Sequence, residues 1–300
     1  MHVIAVLNQD GGTLRTMDLK AFCIQAELVF SRHGHTLECR TVSGADIQAG
    51  LESAVETPGL DAILAGGGDG TISAAASIAF GRGVPLGILP AGTMNLFARA
   101  LGIPLDLHQA LEAIAAGEVD SVDIATANGR TFVHQFGVGV HARLVRIREQ
   151  MTYASRVGKM LASLRAIASA VINPPRFEAE IHTGRGTENR VAAGIAVSNN
   201  PLGTGPLPFA ERLDTGMLGV YVADTMTTRE LVQLAFDILL GTWRQSPLVS
   251  EKEVDEVTLH FPKRKKDAQA VIDGELINLE PVVRLKIHPR GLNVIRPRVG

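Results

Sequence analysis

The chain has 300 residues, a formal net charge of −2, 46% hydrophobic and 20% charged residues. That length holds one large domain or two of ordinary size, and that apolar share supports a packed core and argues against a disordered chain. The small net charge argues against polyanion binding by the whole surface, and 4% aromatic residues give no base-stacking platform, so no nucleic-acid partner is expected.

The chain opens with Val3 to Leu7, a strand-length apolar run with no basic flank and no cleavage site. No stretch reaches the roughly 18 to 20 apolar residues that span a bilayer, so no transmembrane segment is expected. A polar turn follows, Asn8-Gln9-Asp10-Gly11-Gly12-Thr13, and then helical spacing over 17–33 (Phe22, Ala26, Val29, Phe30) that stops at Gly34. Thr36 to Val42 alternates like a strand. The two cysteines, Cys23 and Cys39, form no CxxC pair, and the plain expectation is a reduced, cytoplasmic protein with buried thiols. Ile63 to Ala65 leads into Gly66-Gly67-Gly68-Asp69-Gly70-Thr71, and a small-residue helix is predicted from Ile72 to Phe80. Leu86 to Leu89 reads as a strand, after which Pro90-Ala91-Gly92-Thr93 opens a helix through Leu101. Repeated strand–loop–helix units predict a doubly wound α/β domain over 1–123, with ligands beyond the carboxyl ends of its parallel strands.

After Asp123 the pattern changes. Phe177 to His182, Val191 to Val197, Met217 to Val222, Val257 to Phe261, Ala268 to Ile272 and Val283 to Ile287 read as strands. A helical stretch over about 143–172 precedes them, and Thr227 with Glu230 makes a capping box for a helix from Thr228 to about Leu240. The expectation is an antiparallel, β-sandwich-like domain over 124–292 with inserted helices, and a C-terminal segment, 293–300, that returns to the first domain.

Three segments carry chemistry. In Gly67-Gly68-Asp69-Gly70-Thr71 the glycines let backbone amides approach an anion, and the following helix turns its positive end toward a phosphate. An aspartate there suits Mg²⁺ or a proton in transit, and its plain alternative is a helix cap. The loop is neither GxxxxGK[ST] nor GxGxxG. In Leu89-Pro90-Ala91-Gly92-Thr93-Met94-Asn95, Thr93 stands where a cap or a phosphate contact would lie, and an ordinary helix start explains it equally well. In Val271-Ile272-Asp273-Gly274-Glu275, two carboxylates flank a glycine and could hold metal or accept a proton, while Asp-Gly is also a common hairpin turn. His134 and His141 belong to no HExxH set, so a zinc enzyme is not expected.

Together these segments, with Leu96-Phe97-Ala98-Arg99 after the second, Arg156 to Lys159, Ala210 to Val220 and His288 to Val294, resemble the diacylglycerol kinase catalytic-domain family. The nearest branch resembles the bacterial soluble lipid kinases, which are similar to sphingosine and ceramide kinases. The first loop is shared with NAD and phosphofructokinase-type kinases and points to phosphoryl transfer; the other two motifs narrow it to lipid kinases. The resemblance implies ATP, with Mg²⁺, between an α/β domain and a β-sandwich. It maps nucleotide contacts to Asn8, Thr41, Gly67, Gly68, Asp69, Gly70, Thr71, Ile72, Ser73 and Thr93, and base candidates to Asp69, Asp273 and Glu275. Glu275 is favoured as proton acceptor and Asp69 as the Mg²⁺ carboxylate, with the reverse order open. Departures are Gln9-Asp10 in the first loop, Leu96 where many relatives have aspartate, and Asp214-Thr215-Gly216-Met217-Leu218-Gly219, which lacks two acids of the family's structural metal site.

The implied partner is a lipid at a membrane surface, met by peripheral contact at the cytoplasmic face; monomer and homodimer both stay open. Residues 143–172 carry six cations against Glu149, 6 − 1 = +5, and could form an interfacial helix or pack on the β domain. Lys263-Arg264-Lys265-Lys266 could meet anionic head groups or ATP phosphates, or stand as a solvated tip. Rival readings are a soluble-substrate kinase of the NAD-kinase type and a non-catalytic nucleotide- or lipid-binding regulator.

Overall fold

The computed structural model describes residues 1–152, 175–205, 207, 209–225, 227–239, 242, 244 and 246–298. In chain order these form β1 (His2–Asn8), α1 (Leu19–Arg32), β2 (Thr36–Val42), α2 (Ile47–Val55), β3 (Ala62–Gly67), α3 (Asp69–Arg82), β4 (Leu86–Pro90), α4 (Leu96–Ala100) and α5 (Leu107–Ala115). There follow β5 (Glu118–Ala127), β6 (Arg130–Phe132), β7 (Gln135–Gly139), α6 (Val140–Thr152), β8 (Phe177–Thr183), β9 (Gly186–Asn199) and β10 (Leu218–Asp224). After a helix over Thr228–Leu239 come β11 (Val249–Val254), β12 (Glu256–His260), β13 (Gln269–Ile272), β14 (Glu275–Asn278) and β15 (Val282–Arg296). The chain divides into two compact units: Met1–Ile124 with Thr131–Val133 and His288–Gly300, and Ala125–Arg130 with His134–Ile287.

In the first unit β4, β3, β1 and β2 lie side by side in that order, all parallel. Helices in α/β folds cover both faces of such a sheet, so its inner strands are apolar throughout; Val3–Leu7 and Ala62–Ala65 are fully buried. Asp18 caps α1 by accepting from the amides of Lys20 and Ala21, and Gly34, at φ +75°, ends it. Register pairs Leu7 with Gly66, Gly66 with Leu89, and Gly67 with Pro90, so the carboxyl ends of β1, β3 and β4 finish together. The last part of β15 adds to the same sheet, Val294 pairing parallel with Leu86.

The structure adds to the sequence reading the helices α2 and α5 and the strands β5, β6, β7, β11 and β14, and it differs from that reading at three further points. Cys23 on α1 and Cys39 on β2 are joined in a disulfide with their Cα atoms 5.7 Å apart; they are not the buried free thiols expected. Helix spacing and strand alternation are read one element at a time, so neither revealed that these positions face each other. The helix after β4 begins at Leu96 instead of Thr93, because Asn95 sits at φ +50°, outside helical geometry. The helix after β3 begins at Asp69, since the turn is already complete at Gly68.

The second unit is a mostly antiparallel sheet in the order β14, β13, β7, β9, β8, β12, β15. The long strand β9 is shared: its first half pairs with β8, its second half with β7, and β10 runs along that second half and carries β11. On one face of the β13–β14 hairpin, Ala142 and Val145 of α6 pack on Val271, with Leu276 beside them. Tyr221 lies in the cluster with Ala193, Leu202 and Leu234, its hydroxyl accepting from the Leu202 amide at 2.8 Å. Burial pushes that phenol up to about 12. Of the segment 143–172 read as an interfacial helix, 153–172 lies outside the described residues, as do the side chains of 147–152. No helix among the described residues is long and apolar enough to cross a membrane.

Candidate active site

Three turns meet at the carboxyl ends of β1, β3 and β4. The Asn8 side-chain amide donates to Thr71 Oγ1 at 3.0 Å, tying the first turn to the start of α3. Asn8 Oδ1 accepts from the Asp10 amide, and Asp10 Oδ2 from the Gly44 amide just past β2. The Thr13 amide donates to the Ala91 carbonyl, and the Ala91 amide to the Gly67 carbonyl, each at 2.9 Å. These contacts are too close for side chains: a Cβ on Gly92 would lie 2.7 Å from Gly68 Cα, and one on Gly67 2.5 Å from Thr71.

Asp69 links the second and third of these strand ends, those of β3 and β4. Its two carboxylate oxygens accept from the amides of Asn95 at 3.0 Å and Leu96 at 2.7 Å. A cap was one sequence reading of Asp69, but the helix it caps is α4, not its own. Asn95 is buried in the left-handed conformation that asparagine tolerates. Its side chain closes the loop on itself, accepting from the Gly92 amide and donating to the Gly92 carbonyl, both at 2.8 Å.

What remains open is the head of α3. The Ile72 amide is taken by Gly68 O, while the amides of Asp69, Gly70 and Thr71, in the helix's first turn, have no intrahelical acceptor. Fourteen residues of aligned peptide dipole make that end partially positive. Gly70 and Thr93 are exposed, Gly68, Asp69 and Ser73 are half-buried, and Gly67, Thr71 and Ile72 are buried. Thr41 is exposed on β2 opposite Leu7. Amides, glycines and a dipole arranged this way suit a phosphate chain. Magnesium riding on nucleotide phosphates needs only one or two protein carboxylates. Asp69 is one such carboxylate at the head of α3, and among the described residues no group of three or more His, Cys, Asp or Glu stands ready to bind a metal.

In the second unit, Asp273 and Gly274 form the two-residue turn of the β13–β14 hairpin, Ile272 pairing with Glu275. Both turn residues have positive φ, +46° and +86°, the signature of a type I′ turn. The turn reading of Asp-Gly is therefore met, yet Asp273 is not exposed. It is 9% accessible, and its Oδ1 accepts from the amides of His134 and Gln135, both at 2.9 Å. Its own amide donates to Gln135 O at 2.9 Å. Glu275, one residue past the turn, has a side chain 58% exposed and 2.8 Å from Arg130 Nη2. Of the two acids, only Glu275 offers a carboxylate to solvent.

Asn95, Arg130, His134 and Gln135 were not assigned roles from sequence. Asparagine's tolerance of positive φ could have flagged Asn95. Arg130 lies 145 positions from Glu275, and no local pattern connects them.

The head of α3 and the glycine turns around it suit a phosphate chain, and comparison with known proteins gives the family. Residues 2–127 match the diacylglycerol kinase catalytic domain. The chain is 26% identical over 270 residues to the diacylglycerol kinase of Bacillus subtilis, covering 86% of this chain and 84% of that one. It is 30% identical over 218 residues to a Klebsiella pneumoniae protein named "Probable lipid kinase YegS-like", covering 72% of this chain and 69% of that protein. A Synechocystis protein of uncharacterized function is 30% identical over 248 residues, and there this chain spans about half, 54%, of the relative's length. The crystal structure of a diacylglycerol kinase from Bacillus anthracis shares the fold, with a TM-score of 0.71 at 18% identity over 98% of this chain and 96% of that one. The chain belongs to the diacylglycerol kinase catalytic-domain family of lipid kinases.

Proposed function

We propose that the protein transfers the γ-phosphate of ATP, with Mg²⁺, to a hydroxyl of diacylglycerol or a related lipid, acting peripherally at the cytoplasmic face of a membrane. The observation that carries this reading is the open head of α3, with glycine turns packed around it and Asp69 held between two of them. Amides of Asp69, Gly70 and Thr71 bind the phosphate oxygens, and Asn8, fixed on Thr71, orients the turn beside them. Bound magnesium supplies charge neutralisation on the phosphates. Because Asp69 is locked by two amides, its carboxylate costs no reorganisation when a cation arrives.

Glu275 is the proposed proton acceptor and Asp273 the residue that fixes its turn. The acceptor oxygen forms a bond to phosphorus as the bond from phosphorus to the ADP oxygen breaks, and the hydroxyl proton passes to the Glu275 carboxylate. Such general-base help is typically worth roughly 10² to 10⁴ in rate. An ATP supply argues for the cytoplasmic face; the Cys23–Cys39 bond is uncommon in that compartment. The test is ADP release in mixed micelles with and without diacylglycerol. Lipid-dependent, Mg²⁺-dependent release is expected. Release without lipid dependence would give the soluble-substrate kinase, and none under any condition the non-catalytic regulator.

A further inference from the structure

We infer that the loop joining β12 to β13 is a docking surface for an anionic lipid bilayer. This deepens the proposed function and rests on its premise that the acceptor is a membrane lipid. Residues 262–267, Pro-Lys-Arg-Lys-Lys-Asp, are all exposed. Their ends are fixed: the Phe261 amide donates to Pro281 O at 2.8 Å, the Ala268 amide to Lys265 O at 3.1 Å and the Leu279 amide to Ala268 O at 2.9 Å. At the loop's start, the ring of Phe261 packs against that of Phe177, tilted by 55° with the centroids 5.9 Å apart. The four cations therefore sit on an anchored turn and not on a loose tail.

Charge on this surface is unbalanced. Lys263 pairs with Glu178 at 2.8 Å, and Arg264 Nη1 donates to the Lys265 carbonyl at 3.3 Å. Nearby acids are Asp267 in the loop and Glu280 beside Pro281. Arg146 of α6 extends the positive face, its Nε donating to the side chain of Gln269 at 2.6 Å, one residue past the loop's end. Leu144, on the same helix, is 51% exposed. Consecutive like charges repel one another in solution, and a surface of opposite sign relieves that repulsion. The loop contains no glycine and forms no amide cradle of the sort a bound nucleotide phosphate uses, while a tip of side-chain cations suits a flat, multivalent anionic surface. Four-residue β13 separates the loop from the Asp273 turn by roughly 13 Å, no more than the depth of one hydrocarbon leaflet, about 15 Å. Docking at the loop thus leaves Glu275 within reach of a lipid raised partly from the bilayer.

The experiment compares the wild type with R264Q/K265Q/K266Q, which leaves the Lys263–Glu178 pair intact. Cosedimentation uses vesicles of phosphatidylcholine alone and of phosphatidylcholine with phosphatidylglycerol, at low and high salt. The wild type is expected on the anionic vesicles only, released by salt, with the variant's partition coefficient lower on the order of a hundredfold. Equal binding of both proteins, or equal wild-type binding to neutral vesicles, would overturn the inference. In parallel, turnover of a short-chain, monodisperse diacylglycerol without vesicles is expected to be the same for both. A raised KM for ATP in the variant under those conditions would make the loop a nucleotide contact and would also overturn it. Absence of turnover in both proteins would strike the kinase reading, while vesicle binding would still decide the docking surface.

Discussion

Replacing Asp273 separates a residue that builds the site from one that reacts in it. Its Oδ1 accepts two backbone amides at 2.9 Å while the residue is 9% accessible. Hydrogen bonds to a charged acceptor contribute about 1.5–3 kcal/mol each, so the pair stabilises by roughly 3–6 kcal/mol. Asp273→Ala removes both, strands two amides, and puts a Cβ-bearing residue without a polar side chain at φ +46°, a conformation costing about 1–2 kcal/mol. The expected loss is roughly 4–8 kcal/mol. Asp273→Asn keeps an oxygen for the same two amides and tolerates that φ, but its neutral bonds contribute about 0.5–1.5 kcal/mol each, so the loss is roughly 2–3 kcal/mol. Urea denaturation followed by circular dichroism and by fluorescence measures both. If the alanine variant proved as stable as the asparagine variant, the two amide bonds would not be holding the turn. At concentrations of urea where all three proteins are folded, Asp273→Asn is expected to keep kcat within about tenfold, because the residue is 9% accessible and holds the turn while the exposed Glu275 is the proposed proton acceptor.

Glu275→Gln should give the opposite profile: kcat lower by roughly 10²-fold or more in steady-state assays. Its stability should fall by less than about 1 kcal/mol, since its ion pair with Arg130 is exposed; normal turnover would remove Glu275 from the mechanism. Gly92→Ala places a Cβ 2.7 Å from Gly68 Cα and 2.9 Å from Asn95 Oδ1, forcing the turns apart, and calorimetry should show ATP affinity reduced roughly tenfold or more; unchanged affinity would mean these turns do not shape the nucleotide site. Tyr221 titrates at about 12 against 10.0 unperturbed, so the folded state holds its proton where the unfolded state releases it. Its contribution is intact below pH 10 and is lost as pH rises toward 12, about 2–3 kcal/mol in all; Tyr221→Phe should flatten the alkaline limb of stability, and an unaltered limb would assign it elsewhere. Cys23→Ser opens a bond with sequence separation 16 and should lower stability by roughly 3 kcal/mol under non-reducing conditions, with no effect once reductant is present; a drop of the same size in reductant would point to packing of the sulfur instead.

Four parallel strands and the helices after β1, β3 and β4 were legible in the first unit, from apolar strand runs and from glycines where the chain turns tightly, while α2, α5 and β5 were not read from the sequence. In the second unit β8, β9, β10, β12, β13 and the first part of β15 were legible as strands and the Asp-Gly turn from its residue types, while β7, β11 and β14 were not read. What the sequence concealed was pairing at a distance. Cys23 with Cys39, Glu275 with Arg130, and Asp273 with the amides of 134 and 135 all depend on register between elements, which no local pattern encodes. The late start of α4 was hidden for a different reason, since a single left-handed residue overrides the capping preference of Thr93.

The first two motifs look independent in the sequence, 26 and 27 positions apart at their points of contact, and each had an ordinary explanation when taken alone. Their geometry makes them one object. Asp69 caps α4, Asn95 folds the second loop onto Gly92, and Gly92 touches Gly68. An aspartate, an asparagine and two glycines are therefore required together, and any one without the others would lose its reason. The plain reading of Asp69 as a cap and the functional reading as a cation carboxylate do not compete. Two amides fix the carboxylate and consume only part of its accepting capacity, because its two oxygens offer about four lone-pair sites.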